Sequence, residues 1–142
     1  MASAGGTEHQ HVVLVVEDSD VTRESLGLLF HMEGYRVATA PTGRVALQLM
    51  VTMRFRPCVV VADLMMPEMD GFDFLEELRG DEAGRHVPVV VITARDLTAE
   101  DHRRLNGSVE RILQKGAYGR EELLAEVRRL VRASIDKRRA AP

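Results

Sequence analysis

Three acidic residues stand directly after apolar runs of the sequence, where they could bind a cation together. Glu17 and Asp18 follow the run Val12–Val16, and Asp63 follows the run Cys58–Ala62. Two unit charges ~4 Å apart repel by about 4 kcal/mol at an effective dielectric of 20, so a shared pocket requires protons or a cation. Oxygen ligands without His or Cys favour a hard divalent ion, and a small cluster favours Mg²⁺ over Ca²⁺. If the two runs are neighbouring strands, the acids predict a magnesium site.

A hydroxyl and an ammonium group complete this candidate site. Thr93 follows the apolar run Val87–Ile92, and Lys115 comes shortly after the run Val109–Leu113. Such a set could accept a phosphoryl group, with a metal ion and Lys115 neutralising its oxygens, Thr93 donating to one of them and Asp63 attacking. Any one of these residues alone is more often a loop residue or a helix cap, so the prediction depends on their combination.

The elements that must position these residues alternate between short β-branched runs and stretches of helical periodicity. Five such pairs occur, and this alternation is typical of parallel strands joined by crossover helices. Ligands of an open parallel sheet bind beyond the carboxyl ends of its strands, which is where all the candidate residues fall. The predicted strands are His11–Val16, a more polar edge strand near 35–39, the central strand Cys58–Ala62, Val87–Ile92 and Val109–Leu113.

Each predicted helix has apolar residues that would face the sheet. Ser19 or Asp20 can cap the first helix, and its predicted buried face consists of Val21, Leu28, Leu29 and Met32. The fourth helix, about 98–106, has only Leu97 and Leu105 as large apolar residues and is predicted to be the least firmly docked. The predicted buried stripe of the last helix is Leu123, Leu124, Val127, Leu130 and Val131.

Length and composition narrow the function classes. The 142 residues amount to about one domain, predicted at 11–135 between an N-terminal tail (1–10) and a C-terminal tail (136–142) that leave no room for an output domain. A net charge of −3 and the absence of Trp disfavour direct nucleic-acid binding. The apolar runs are too short to span a membrane, no secretory signal is evident, and the single cysteine, Cys58, cannot form an intrachain disulfide. We therefore expect a cytoplasmic location.

The sequence resembles the receiver domain of two-component response regulators over about 12–130. Val-Val-Ala-Asp-Leu-Met-Met-Pro-Glu-Met-Asp-Gly at 60–71 is very similar to the phosphoacceptor loop of that family, and Val-Val-Glu-Asp-Ser at 15–19 resembles its acidic pair. Ile-Thr-Ala at 92–94 and Leu-Gln-Lys-Gly at 113–116 resemble its two further motifs. The resemblance implies an α/β, flavodoxin-like (βα)5 doubly wound sandwich with a five-stranded parallel sheet in the order 2-1-3-4-5.

The resemblance also implies a role for each site residue. Asp63 would take a phosphoryl group from a phosphohistidine on a histidine kinase or a histidine phosphotransfer protein. Thr93 and Lys115 would engage the phosphoryl oxygens, and Ala94 would stay small so that the group can approach. The protein would then be a phosphoacceptor that assists its own phosphorylation and dephosphorylation, and not an enzyme in the strict sense.

The same family pattern implies Mg²⁺ as the cofactor. Asp18 and Asp63 would bind the ion together with the backbone carbonyl of Met65, and Glu17 would act directly or through water. Glu17 stands where the family most often has Asp, which lengthens this carboxylate by one methylene group.

Further departures from the family pattern bear on signalling. Ile112 occupies a position where many members carry an aromatic residue that moves with the Thr, so the signal would depend on Thr93 and the fourth helix. Gly116 replaces a proline that follows the lysine, which predicts a differently built loop. The bulk of Met65 and Arg95 along the route of attacking water indicates slow self-dephosphorylation.

The predicted output is a surface formed by the fourth helix, the fifth strand and the fifth helix, whose shift would control a downstream protein. A homodimer is a further option, whereas nucleic-acid and membrane partners are not expected. The segment 115–124 resembles receivers attached to hybrid sensor kinases, so both a module of such a kinase and a free-standing protein stay open.

Two alternatives remain at this stage. One is a receiver-like interaction module that is not phosphorylated, which the departures at Glu17, Ile112 and Gly116 would permit. The other is an aspartate-nucleophile phosphatase of the haloacid dehalogenase type, which is disfavoured because Met65 stands where that family has a second Asp.

Overall fold

Five strands and five helices alternate along the described part of the chain. The computed structural model describes residues 12–52, 56–64, 71–82, 84–93, 97–114 and 119–140, of which 137–140 are described as backbone only. The strands are β1 (Val12–Val16), β2 (Arg36–Ala40), β3 (Val59–Asp63), β4 (Val89–Thr93) and β5 (Arg111–Gln114). The helices are α1 (Asp20–Met32), α2 (Gly43–Thr52), α3 (Gly71–Gly80), α4 (Ala99–Leu105) and α5 (Arg120–Ala140).

The strands form one parallel sheet in the order β2-β1-β3-β4-β5, which confirms the predicted α/β fold and strand order. β3 is central, and the more polar β2 lies at an edge, as predicted. Every residue of β3 and β4 is buried. Uniform burial requires cover on both faces of the sheet, which is why these strands are continuous apolar runs.

Two hydrophobic clusters, one on each face of the sheet, form the core. Successive side chains of a strand point to opposite faces, so Leu14 and Val16 join one cluster while Val13 and Val15 join the other. The first cluster contains residues of α2, α3 and the end of α4. The second contains residues of α1 and α5. The sheet is therefore covered by helices on both faces, and the candidate site residues lie at its strand ends.

The predicted buried face of α1 is wrong. Val21, Leu28 and Met32 do lie on one face of the helix, but they are 76%, 59% and 74% exposed. The buried residues of α1 are Leu26 and Phe30, four positions apart and therefore on the same face. Leu29 is partly buried against the same cluster. Because α1 has apolar residues on two faces, its periodicity alone does not show which face packs on the sheet.

The predicted cap of α1 is present, and α4 also begins with a capped first turn. The Ser19 hydroxyl accepts a hydrogen bond from the N–H of Thr22 at the start of α1. Thr98 and Asp101 form a reciprocal capping box at the start of α4. Leu105 is the one buried residue of α4, in agreement with the prediction of a weakly docked helix.

Helix α5 has the predicted buried stripe and continues beyond the predicted folded part. Leu123, Leu124, Val127, Leu130 and Val131 are all buried, and the helix runs to Ala140 instead of ending near residue 135. Ion pairs also join α5 to β5, since Arg111 lies 2.7 Å from Glu122 and 3.3 Å from Glu126. Among the described residues, no helix combines the length and the apolarity needed to cross a membrane.

Leu26 and Leu28 lie on opposite faces of α1 and provide a test of how this helix packs on the sheet. We expect Leu26→Ala to lower the free energy of unfolding by about 2–4 kcal/mol, because it removes a buried side chain and leaves a cavity. The matched variant Leu28→Ala removes an exposed side chain from the same helix and should change stability by less than about 0.5 kcal/mol. Urea unfolding of both variants measures the difference, and equal losses would contradict the orientation of α1.

Candidate functional site

The pairing of β1 with β3 brings the acidic residues to one edge of the sheet. Val16 at the end of β1 is in register with Ala62, so Glu17 and Asp18 emerge beside Asp63. The backbone N–H of Glu17 donates to the carbonyl of Ala40 at 3.0 Å, which extends the pairing of β1 with β2 to the start of the loop. The loop therefore begins from a fixed position.

Glu17, Asp18 and Asp63 form a cluster of carboxylates. One oxygen from each residue lies within 4.8 Å of the other two. Glu17 and Asp63 are 2% and 4% exposed, whereas Asp18 is exposed. Negative charges at this separation repel, so a cation between them is favoured. The donors are all carboxylate oxygens, two of them are buried and one opens to solvent, which is the donor set that suits a hard ion such as Mg²⁺.

Hydrogen bonds to the start of α1 hold Glu17 in place. The N–H of Ser19 donates to Glu17 Oε2 at 3.0 Å. Arg23 donates to the backbone carbonyl of Glu17 at 3.0 Å and to Asp20 Oδ1 at 2.5 Å. The longer side chain of Glu17 is thus oriented by the backbone two residues later. Sequence reasoning missed Arg23, although its position three residues after Asp20 is typical of a helical ion pair.

Thr93 lies at the same edge, at the end of β4. Asp63 is in register with Ile92 on the neighbouring strand, so Thr93 is one position further toward the loops. Thr93 is 1% exposed and is in register with Gln114 of β5. The buried Thr93 therefore lies one position beyond the level of Asp63 on the neighbouring strand, and its role toward a phosphoryl group stays a prediction.

Gly71 sets how closely α3 approaches the acidic edge. A Cβ atom at this position would lie 2.6 Å from Leu64 Cα and 3.2 Å from the carbonyl oxygen of Asp63. The Gly71 N–H donates to the carbonyl of Leu64 at 2.9 Å. Gly71 was not singled out from the sequence, although it ends the motif at 60–71. Its role is to let the helix start directly against the strand that carries Asp63.

Some of the predicted site residues lie outside the described part of the chain. These are Lys115, Ala94 and Met65, together with Gly116 and Arg95. Their roles stay predictions. Ile112 is described: it lies in β5, in register with Val91, and packs against the cluster on the α3 and α4 face of the sheet.

Comparison with known sequences places this site in a family. A sequence model of the family described as response regulator receiver domain matches residues 13–128. The chain belongs to this family. This receiver domain is 40% identical over 120 residues to the response regulator MprA of Mycolicibacterium vanbaalenii, with 84% of the chain and 50% of MprA covered. The chain thus spans about half the length of the curated relatives that it matches.

Solved structures of other receiver proteins have the same fold. The chemotaxis protein CheY4 of Vibrio cholerae is similar with a TM-score of 0.76 and 28% identity, covering 85% of this chain and 98% of that chain. The receiver domain of a sensor histidine kinase from Pseudomonas aeruginosa, solved with a magnesium ion coordinated in its active-site cleft, has a TM-score of 0.74 and 28% identity. That likeness covers 85% of this chain and 97% of that chain.

The two glycines at the ends of α3 test the close contact at the site. We expect Gly71→Ala to lower the free energy of unfolding by about 1–3 kcal/mol, because the added methyl group overlaps backbone atoms of Leu64. Gly80→Ala is the matched control, since a Cβ atom there meets nothing within 4 Å. It should leave stability within about 0.5 kcal/mol. Chemical unfolding of both variants measures the contrast, and an unchanged Gly71→Ala protein would show that α3 does not need this approach.

Proposed function

We propose that this receiver domain accepts a phosphoryl group on Asp63 from the phosphohistidine of a histidine kinase or a histidine phosphotransfer protein. The observation that carries the proposal is the position of Asp63. Its carboxylate is buried at the end of the central strand, within 4.8 Å of two other carboxylates and next to the strand that ends in Thr93. The family of the chain supports the same partner class.

The transfer uses the carboxylate of Asp63 as nucleophile. One of its oxygens forms a bond to phosphorus, the phosphorus–nitrogen bond of the phosphohistidine breaks, and the bonding pair returns to the imidazole of the partner. The Thr93 hydroxyl donates a hydrogen bond to a phosphoryl oxygen, and the Lys115 ammonium group pairs with another. Ala94 leaves room for the group. The protein thereby assists its own phosphorylation and dephosphorylation and is not proposed as an enzyme acting on other substrates.

The cofactor that we propose is Mg²⁺, held by Asp18, Asp63 and the backbone carbonyl of Met65, with Glu17 acting directly or through water. When bound, the ion neutralises negative charge on the phosphoryl oxygens. The carboxylate donors of this chain fit it, and a magnesium ion is coordinated in the cleft of the related Pseudomonas aeruginosa receiver. The N–H of Ser19 donates to Glu17 Oε2 and so orients this carboxylate at the acidic edge of the sheet.

The output that we propose is a change of the surface formed by α4, β5 and α5, which controls a downstream protein. Thr93 ends β4, and α4 follows it in the chain with a single buried side chain, so movement of Thr93 can be passed to a weakly held helix. Ile112 has no aromatic ring, so the movement of an aromatic side chain at this position is not part of the proposed output. A cavity of about 440 Å³ opens between α4 and β5, lined by residues that include His102, Arg103 and Arg111.

Intact mass spectrometry with acetyl phosphate and Mg²⁺ tests the phosphoacceptor. We expect the wild-type chain to gain the mass of one phosphoryl group and Asp63→Asn to gain none, because the amide is not a nucleophile for this transfer. Asp136→Asn is the matched control, since Asp136 is exposed on α5. It should be labelled to the same extent as the wild type.

The other outcomes of this experiment, together with an assay of phosphate release from a generic phosphate ester, separate the alternatives. An unlabelled wild-type chain, checked with a second small phosphodonor, would indicate a receiver-like module that is not phosphorylated. Sustained release of phosphate from a generic phosphate ester would indicate an aspartate-nucleophile phosphatase. Equal labelling of Asp63→Asn would show that another residue is the acceptor.

A titration with Mg²⁺ tests the metal site. We expect Asp18→Asn to weaken Mg²⁺ binding at least about tenfold, because it removes one of three clustered charges. The matched variant Asp20→Asn removes an exposed charge two residues away that is paired with Arg23, and it should bind within about twofold of the wild type. Isothermal calorimetry measures both affinities, and equal binding by Asp18→Asn would exclude Asp18 as a ligand.

A further inference from the structure

Arg79, near the end of α3, contacts two segments that are far apart in the sequence. Its guanidinium donates to the backbone carbonyls of Gly84 (2.9 Å), Val87 (2.6 Å) and Arg85 (3.3 Å) in the α3–β4 loop. It also donates to the carbonyl of Ser108, which lies in the turn between α4 and β5. One side chain thus joins a loop before β4 to a turn before β5.

The chemistry of arginine suits this position. A guanidinium offers five N–H donors in a plane and stays protonated, so one group can serve several carbonyl oxygens at once. Arg79 is partly buried, and burial lowers the pKa of its guanidinium while the nearby charge of Glu110 acts in the opposite direction. A lysine or glutamine would not reach both segments with the same number of donors.

The turn that accepts the hydrogen bond of Arg79 directly follows the C-terminal end of α4. Further hydrogen bonds and contacts hold this end of the helix. The N–H groups of Ser108 and Val109 donate to the carbonyl of Leu105, and the N–H of Glu110 donates to Val89 in β4. Leu105 is buried, and Arg104 stacks over the ring of Phe72. The start of α4 is held differently, by the reciprocal hydrogen bonds of Thr98 and Asp101 in its capping box. Within the described part of the chain, the one buried residue of α4, Leu105, therefore lies in its last turn.

Two cavities lie on either side of this turn. One of about 440 Å³ opens toward α4 and β5, and one of about 470 Å³ opens toward the α3–β4 loop. Gly107, Val109 and Glu110 line both of them. Because cavities adjoin the turn, its hydrogen bonds contribute to its position together with the packing of Val109 against the core.

We infer that Arg79 joins the α3–β4 loop and the α4–β5 turn into one cooperative unit and so makes the C-terminal end of α4 its fixed end. Signal-dependent movement then occurs at the N-terminal end of α4, which follows the strand that carries Thr93. This second statement depends on the proposed function, whereas the coupling itself does not.

Amide hydrogen exchange of the unmodified protein tests the coupling. We expect Arg79→Gln to raise exchange at least about tenfold at Gly84 and Val87 and, by a similar factor, at Ser108 and Val109. Amides of β1 serve as the reference for global unfolding and should change less. Arg85→Gln is the matched control, because it removes the same charge from an exposed side chain of the same loop and leaves every bond of Arg79 in place. It should not change exchange at Ser108 or Val109.

The opposite results would overturn the coupling. Faster exchange confined to the α3–β4 loop would show that the turn does not depend on Arg79. An equal rise in the turn and in β1 would show that Arg79 supports global stability without joining these segments in particular. Equal effects of Arg79→Gln and Arg85→Gln would show that charge, and not the bonds to the carbonyls, is responsible.

Amide chemical shifts after treatment with acetyl phosphate and Mg²⁺ test the fixed end. Where intact mass shows that the wild type is phosphorylated, shifts should change at 97–102 and stay nearly constant at 105–110, and Arg79→Gln should extend the changes into 105–110. Large changes at 105–110 in the wild type would overturn the fixed end. A chain that takes no phosphate would overturn the proposed function instead, and the exchange result would still decide the coupling.

Discussion

The direct pairing of β1 with β3 is the constraint on which the site depends. These strands are separated in the sequence by β2 and two helices, yet their register places the residues after Val16 beside Asp63. A shift by one residue would turn every side chain of the strand to the opposite face. The burial of Val13–Val16 in β1 and of all of β3 opposes such a shift only weakly, because both faces of these strands are mostly apolar. The register is supported further by the helices that pack on each face and by the N–H of Glu17 bonded to β2.

The two sides of the site differ in how firmly they are held. The acidic side is built from buried strand ends, a glutamate bonded to the start of α1 and a helix that contacts Leu64 through Gly71. The side that follows Thr93 leads to α4, whose one buried residue is at its last turn. Firm placement of the carboxylates lets them bind and react in a defined geometry, whereas a weakly held helix can change position at small energetic cost. The fold thus combines a firmly held acidic edge with a weakly held helix, which is the combination that the proposed phosphorylation and its proposed output require.

Much of the fold and the acidic cluster could be predicted from the sequence, because strand ends and apolar runs are local features. The observed strand boundaries differ from the predicted ones by one or two residues, because apolar residues such as Val87 and Val109 continue beyond the paired strands. The buried face of α1 could not be decided, since Leu26 and Leu28 are equally apolar and only packing on the sheet distinguishes them. The bonds of Arg79 could not be predicted either, because Ser108 is 29 residues away and its carbonyl carries no sequence signal. Lys115 stays a prediction, since it lies outside the described residues.

The two edge strands of the sheet, β2 and β5, affect whether a strand from another molecule can pair with it. β2 and β5 are five and four residues long, and each begins with an exposed arginine, Arg36 and Arg111. The guanidinium of Arg111 is drawn toward α5 by Glu122 and Glu126. Short strands with charged side chains are poor templates for a strand from another molecule. The sheet therefore resists growth into fibrils at both of its open sides, although its interior strands are among the most β-prone segments of the chain.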